Sequence, residues 1–248
     1  MAVLIRRGGA CVLFGLAALA AVGCAKPGPA PVLPAAPTRV ALEPLPDTAR
    51  FASEINAFAK ADSASPPRAG AVLFVGSSSI RFWDTVAADF PGLTVINRGF
   101  GGSRMDDLLR YADRIVFPYD PRAIVLYEGD NDIADNRTPA RIAGDVAEFL
   151  SRVRTRLPGT RVIYLSIKPS PSRWSMVDRM RETNALVERI VENDTAARYV
   201  DVFTPMLGAN GRPRPELFRD DSLHMTRAGY ELWRGILDPV VRAAATRP

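Results

Sequence analysis

Short apolar runs alternate with amphipathic stretches from about residue 48 to the C-terminus. The runs are four to seven residues long and are followed by glycine, proline or polar residues. Runs of this length that are apolar on both faces are typical of parallel strands covered on both sides. Five strands are therefore predicted, at Val72–Val75, Leu93–Ile96, Ala123–Tyr127, Arg161–Ile167 and Tyr199–Val202.

Between these runs, apolar residues recur at the spacing of one helix face, which we interpret as a core-facing stripe. Alternating strands and helices favour right-handed βαβ units. We predict a three-layer α/β/α sandwich around a mostly parallel sheet of about five strands, in a single domain over residues 48–248. The predicted helices are Arg104–Ile115, Pro139–Leu157, Trp174–Val191 and Ala228–Leu237, the last of which Pro239 should end or kink.

The N-terminus differs from this pattern. Two arginines precede the apolar run Ala10–Val22, which is too short to cross a bilayer core of about 30 Å as a helix and is typical of a signal peptide. Small residues then precede Cys24, as in a bacterial lipobox, although Ala21 stands where leucine is usual. We predict a signal peptide over residues 1–23 and lipidation of Cys24, with a plain secretory signal as the alternative.

Residues 24–47 are rich in proline, which favours an extended tether. A lipid anchor followed by such a spacer would hold the domain off a membrane surface. The sequence thus predicts an exported protein that is lipid-anchored in the bacterial cell envelope or otherwise secreted. It indicates no oligomeric state.

Composition limits the possible chemistry. The chain has 248 residues but one histidine, His224, and two cysteines, Cys11 and Cys24. These counts exclude a multi-histidine zinc site, a cysteine cluster and a disulfide scaffold. The formal net charge is +5, but the basic residues are interleaved with acids instead of forming a stripe, so nucleic-acid binding is not expected. We predict no metal and no organic cofactor.

Polar residues follow the first three predicted strands, and ligands of open parallel sheets bind beyond the carboxyl ends of the strands. Each segment alone has an ordinary explanation, as a helix cap or a turn. The glycine-rich segment, residues 97–103, also lacks the complete phosphate-binding and dinucleotide-binding motifs. The segments are Gly76-Ser77-Ser78-Ser79, residues 97–103 and Glu128-Gly129-Asp130-Asn131-Asp132.

The only histidine lies in Asp221-Ser222-Leu223-His224, just before the last predicted helix. An acid near a histidine can fix its tautomer and stabilise the imidazolium, as a general base requires. Asp220 is a competing partner, but the three-residue spacing favours Asp221.

These four segments, in this order, resemble the four sequence blocks of the SGNH hydrolases, also called GDSL-type esterases and lipases. The resemblance covers roughly residues 70–235 and implies the flavodoxin-like fold of that family. It also implies that Ser78, second after Gly76, is the nucleophile. Ser77 replaces the aspartate that the family usually has before the serine.

The resemblance further implies a role for each remaining block. His224 is the general base and Asp221 orients it. The oxyanion hole is formed by the backbone N–H groups of Ser78 and Gly102 and by the side-chain amide of Asn131. The implied activity is a serine ester hydrolase that forms an acyl-enzyme intermediate.

The substrate is less constrained. The segment Lys168–Trp174 follows the fourth strand and is expected to line one pocket wall, with Arg173 and Trp174 as candidate substrate contacts; Arg173 could equally lie in solvent. Because no long apolar lid segment is present, small acyl esters are favoured, including acetyl esters of small molecules or glycans in an envelope setting.

Two other functions fit the same residues. One is a non-catalytic envelope lipoprotein that binds glycan or peptide in the same cleft. The other is an acyltransferase that passes the acyl group from the serine to a second alcohol.

Overall fold

A five-stranded parallel sheet forms the centre of the computed structural model, which describes residues 50–246. The strands are β1 (Val72–Gly76), β2 (Val95–Gly99), β3 (Ala123–Tyr127), β4 (Arg161–Leu165) and β5 (Ala197–Val200). The strand order is β2-β1-β3-β4-β5, and every neighbouring pair is parallel. The predicted fold class is therefore confirmed.

Helices cover both faces of this sheet. Alternate residues of β1 enter opposite cores, because successive strand side chains point to opposite faces. The helices are α1 (Ala52–Ala64), α2 (Ser78–Arg81), α3 (Val86–Asp89), α4 (Met105–Ile115), α5 (Asp130–Ala134), α6 (Pro139–Arg156), α7 (Val177–Glu192) and α8 (Arg227–Ala245). Leu73 and Val75 pack with α1, α4, α6 and α7, whereas Val72 and Phe74 pack with α2, α3 and α8.

The last helix is longer than predicted. It continues through Pro239 to Ala245, so the predicted end at Leu237 is wrong. Proline removes one backbone donor, but the apolar stripe continues beyond it. Leu237 and Val241 are fully buried, and Ala245 is nearly so, which favours the continued helix.

Three other boundaries differ from the pattern-based prediction. Strand β2 begins at Val95, two residues later than predicted, and continues to Gly99, because Asn97, Arg98 and Gly99 pair with the end of β1. The side chain of Asn97 donates to Ile80 O, and that of Arg98 pairs with Asp62. Strand β4 stops at Leu165, beyond which the Asn184 side chain binds both backbone groups of Ile167. Strand β5 spans Ala197–Val200, two residues earlier than predicted.

Several helical segments also differ. The short helices α3 and α5 were not predicted. Helix α1 was not predicted either, although Ile55 and the preceding Phe51 lie in the core. Helix α7 begins at Val177, after a 3₁₀ segment, Pro171–Met176.

The predicted signal peptide, Cys24 and the tether lie outside the described residues. Within residues 50–246, no helix is long and apolar enough to cross a membrane.

Candidate active site

The turn from β1 to α2 exposes one of three consecutive serines. Gly76 has φ +143°, and a Cβ atom there would lie 2.0 Å from the carbonyl oxygen of Tyr127. Only glycine fits this close approach. Ser77 and Ser79 are 2% and 1% exposed, whereas Ser78, the first residue of α2, is half-buried. The turn thus presents Ser78 at the carboxyl end of the sheet.

The histidine loop, residues 218–226, brings the predicted base to this serine. His224 Nε2 lies 3.0 Å from Ser78 Oγ, and His224 Nδ1 lies 2.6 Å from Asp221 Oδ2. The other oxygen of Asp221 accepts hydrogen bonds from the backbone N–H groups of Leu223 and His224, each at 2.9 Å. The structure therefore brings Ser78, His224 and Asp221 together in one chain of contacts.

These contacts determine the charge of Asp221. Partial burial raises the pKa of Asp221, but hydrogen bonds from the His224 ring and from the backbone of His224 and Leu223 outweigh it and lower the pKa to about 2. An ionised carboxylate can only accept, so Nδ1 of His224 carries the proton. Nε2 is then free to accept the Ser78 hydroxyl proton.

Neighbouring groups hold the histidine loop in place. The carbonyl of His224 accepts a hydrogen bond from Arg219 N at 2.7 Å. Thr226 caps α8, accepting from Gly229 N, and its own N–H donates to Leu217 O. The ring of Phe82 packs edge-on against the imidazole, with centroids 4.8 Å apart. The position of the imidazole is therefore fixed by the Phe82 ring as well as by the contacts at its two nitrogens.

The three predicted oxyanion donors lie on neighbouring strand ends. Among residues 50–246, neither Ser78 N–H nor Gly102 N–H donates to a protein acceptor. Gly102 has φ +77°, and its carbonyl accepts from Arg50 Nη2 at 3.0 Å. Asn131 Nδ2 donates to Ser103 O at 2.9 Å. Since an amide nitrogen carries two protons, one remains available.

A buried ion cluster lies beside Asn131; we call it the Asp130 cluster, comprising Asp130, Lys168 and Arg173. Lys168 Nζ lies 2.6 Å from Asp130 Oδ2, and Arg173 Nη1 lies 2.5 Å from Asp130 Oδ1. Burial raises the pKa of Asp130, but Lys168 and Arg173 outweigh it and lower the pKa to about 2. The carboxylate is therefore ionised between two cations.

The two predicted substrate contacts occupy different environments. The guanidinium of Arg173 is directed at Asp130 and at Asn131 Oδ1, which is 3.0 Å from Nη2. The ring of Trp174 is half-buried, with the guanidinium groups of Arg181 and Arg212 at 5.9 and 5.1 Å from its centroid. Ser172 N–H, between Lys168 and Trp174, donates to Ser222 O in the histidine loop.

Sequence reasoning did not assign roles to Asp130 and Lys168. Asp130 lies inside the third block and Lys168 begins the segment expected to line a pocket wall. Their pairing joins residues 38 positions apart, so no local motif reveals it. The available signal was a lysine directly after a predicted buried strand, where a cation needs a partner.

A second acidic group supports the glycine turn. Burial raises the pKa of Glu128 well above its usual range, and nearby Asp132 adds to the effect. Glu128 Oε1 lies 2.5 Å from Ser103 Oγ, which lies 3.0 Å from Phe100 O. A neutral Glu128 can donate to this hydroxyl, which then donates to Phe100 O.

Residues 50–246 contain no group of three or more acidic, histidine or cysteine side chains able to hold a metal.

Known proteins resemble this chain in sequence family and in fold. The GDSL-like lipase/acylhydrolase family matches residues 69–232 of the chain. A GDSL-like lipase from Bacteroides thetaiotaomicron is 24% identical, with a TM-score of 0.64 over 77% of this chain and 98% of that one. No protein with a curated description matches the sequence.

Two further solved structures share the fold. A lipase/acylhydrolase from Enterococcus faecalis is 20% identical, with a TM-score of 0.56 over 71% of this chain and 95% of that chain. A catalytic mutant of an acetylxylan esterase from Geobacillus stearothermophilus is 15% identical, with a TM-score of 0.56 over 73% of this chain and 96% of that chain. At these identities the likeness concerns the fold.

Proposed function

The chain belongs to the GDSL-like lipase/acylhydrolase family, and we propose that it is a serine ester hydrolase that cleaves small acyl esters, acetyl esters included. The observation that carries the proposal is the continuous hydrogen-bonded path from Asp221 through His224 to Ser78 Oγ. Such a path allows a hydroxyl to act as a nucleophile at neutral pH.

In the proposed acylation step, Ser78 Oγ adds to the carbonyl carbon of the ester while its proton passes to His224 Nε2. The negative charge on the former carbonyl oxygen is stabilised by Ser78 N–H, Gly102 N–H and the free proton of Asn131 Nδ2. The bond to the alcohol oxygen then breaks, and that oxygen takes the proton from Nε2. The products of this step are the free alcohol and an acylated Ser78.

Deacylation reverses these roles with water. His224 Nε2 takes a proton from a water molecule as its oxygen adds to the acyl carbonyl. The bond to Ser78 Oγ breaks, the serine regains its proton from His224, and the carboxylic acid leaves. Asp221 stays ionised throughout and stabilises the positive imidazolium. These steps require only residues of this chain and water.

The substrate proposal rests on several features of the chain. The sequence contains no long apolar lid segment, which favours a small acyl group. The predicted export signal favours acyl esters of the cell envelope, such as acetylated glycans. One of the structural neighbours is an acetylxylan esterase. Trp174, on the segment joined to the histidine loop by Ser172, is the side chain we propose for contact with the sugar or other alcohol part.

Hydrolysis of a short-chain nitrophenyl ester by wild type and by Ser78→Ala tests the proposal. The variant should lose at least about 10⁴-fold in kcat, because it removes the nucleophile. Ser79→Ala changes the buried neighbouring serine and should keep activity within about threefold. Full activity in Ser78→Ala would contradict the proposal. An inactive wild type that still binds a glycan or peptide would favour a binding protein.

Competing alcohol acceptors separate hydrolysis from acyl transfer. Products are measured with an excess of a sugar or glycerol beside the ester. Free carboxylic acid should remain the main product, because the deacylation proposed here uses water. A predominance of the acylated acceptor would instead indicate an acyltransferase that uses the same three residues.

We further propose export and lipid anchoring through Cys24, which rest on the sequence alone. Metabolic labelling with a palmitate analogue in a bacterial host should label the wild-type chain. Cys24→Ser should abolish the label and release the protein from the membrane fraction. An unlabelled but exported wild type would favour a plain secretory signal.

A further inference from the structure

The side-chain amide of Asn131 is held at both ends, and its two ends are chemically different. Its nitrogen donates to Ser103 O at 2.9 Å, and its oxygen accepts from Arg173 Nη2 at 3.0 Å. A guanidinium can only donate. An Asn131 side chain turned by 180° would therefore place its N–H₂ group against another donor and its oxygen against the carbonyl of Ser103.

Arg173 is itself fixed by a buried anion. Its Nη1 lies 2.5 Å from Asp130 Oδ1, and its side chain is only 15% exposed. The second oxygen of Asp130 is bound by Lys168, whose side chain is 1% exposed. The planar guanidinium can therefore bind Asp130 and Asn131 at once, which a single ammonium group does less well.

The charges of this cluster do not cancel. One carboxylate, that of Asp130, lies between two cations, Lys168 and Arg173. Tyr127 also contacts this cluster. Its hydroxyl oxygen lies 3.2 Å from Asp130 Oδ2 and 3.3 Å from Lys168 Nζ. Burial raises the pKa of Tyr127 well above its usual range, so it stays neutral. The cluster thus carries one net positive charge.

We propose that Arg173 is a positioning residue for the oxyanion hole: it fixes the orientation of the Asn131 amide and polarises it, and Asp130 and Lys168 hold Arg173 in place. The inference rests on the proposed function, since it assigns a purpose to the donor Asn131. A donor bound to Oδ1 draws electron density from the amide and strengthens its N–H groups as donors. The positive charge of the cluster increases this polarisation of the Asn131 amide.

A double-mutant cycle tests whether Arg173 acts through Asn131. Arg173→Met leaves Asp130 paired with Lys168, so the cluster becomes neutral and the fold should persist. Asn131→Ala should lower kcat about 10²–10³-fold, and Arg173→Met about 10–10²-fold with little change in KM. The double variant should have the same kcat as Asn131→Ala within about threefold. Arg173 acts through the Asn131 amide, so its replacement should have no further effect once that amide is absent.

The matched control is Arg179→Met. Arg179 is a half-buried arginine that also binds an asparagine, with Nη1 3.1 Å from Asn136 Oδ1, and donates to a backbone carbonyl. It lies outside the site and should leave kcat and KM within about twofold. A multiplicative loss in the double variant would overturn the proposal. So would a raised KM with unchanged kcat in Arg173→Met, which would indicate direct substrate contact.

A second measurement does not depend on activity. The side-chain N–H₂ signals of Asn131, identified by their loss in Asn131→Ala, are recorded by ¹⁵N NMR in wild type and Arg173→Met. They should shift and broaden in Arg173→Met and stay unchanged in Arg179→Met. Unchanged Asn131 signals in Arg173→Met would overturn the inference. An inactive wild type with the expected NMR change would contradict the proposed function alone.

Discussion

The candidate site has two halves: the histidine half is the histidine loop with Ser78, and the oxyanion half is the segment 128–132 with the Asp130 cluster. The two halves stabilise their charged groups in opposite ways. The acid of the histidine half, Asp221, has a side chain that is 48% exposed, and it binds groups no more than three residues away. The acid of the oxyanion half, Asp130, is 4% exposed and binds cations 38 and 43 residues away. Both carboxylates nevertheless have a pKa lowered to about 2.

This difference shows two ways to keep a carboxylate ionised. Asp221 keeps about half of its side chain exposed, at 48%, and is stabilised by local N–H donors and the imidazole. Asp130 has lost its water and is stabilised by contact with two cations, Lys168 and Arg173. Changes in the first half should therefore affect the reaction more than the fold. Changes in the second half should affect the stability of the fold as well.

Within this comparison of the two halves, the largest expected effect comes from Asp221→Asn. The variant keeps the size of the side chain but removes the charge that fixes the His224 tautomer, so kcat should fall about 10³–10⁴-fold. The melting temperature should change little, because the side chain is exposed. Asp220→Asn, at the neighbouring position, should keep kcat within about twofold. Equal losses in both variants would show that general surface charge, not the Asp221–His224 contact, supports activity.

Asp130→Asn tests the buried half through stability. The variant leaves Lys168 and Arg173 without a counter-charge, and loss of one partner from a buried ion pair typically costs about 3–5 kcal/mol in the free energy of unfolding. Urea denaturation measures this directly. The control is Asp178→Asn in the surface pair with Arg181, where less than about 1 kcal/mol is expected. A similarly small loss in Asp130→Asn would remove the contrast drawn between the two halves.

A second buried acid of the same half makes the stability depend on pH. Burial raises the pKa of Asp132 from 3.8 to about 7. Between about pH 4 and 7 the folded chain therefore holds a proton that the unfolded chain has released, and the free energy of unfolding falls as pH rises. Asp132→Asn should remove most of this fall, which amounts to at most about 4 kcal/mol for a pKa raised from 3.8 to about 7.

The comparison is the slope of unfolding free energy against pH in wild type, Asp132→Asn and Asp113→Asn. Asp113 is an exposed acid on α4, and its replacement should leave the slope unchanged. A slope in Asp132→Asn as steep as in wild type would show that Asp132 does not govern the pH response.

The same contrast explains what could be predicted from the sequence. The strand pattern and the short-range pair Asp221–His224 are local features, so the sheet and the histidine block could be inferred from residue spacing. The Asp130 cluster depends on how β3 and the segment after β4 meet, which spacing does not reveal. Helix α8 was predicted too short because proline was weighed locally, whereas burial of Val241 and Ala245 extends it.

The most direct test of the central claim is labelling with a serine-directed fluorophosphonate, followed by peptide mapping of the adduct. We predict one adduct per chain, on Ser78, formed rapidly in wild type and slowly in Asp221→Asn. Ser77 and Ser79, which are buried beside it, should remain unmodified. No adduct on the folded wild-type protein, or an adduct on another serine, would contradict the assignment of Ser78 as the nucleophile.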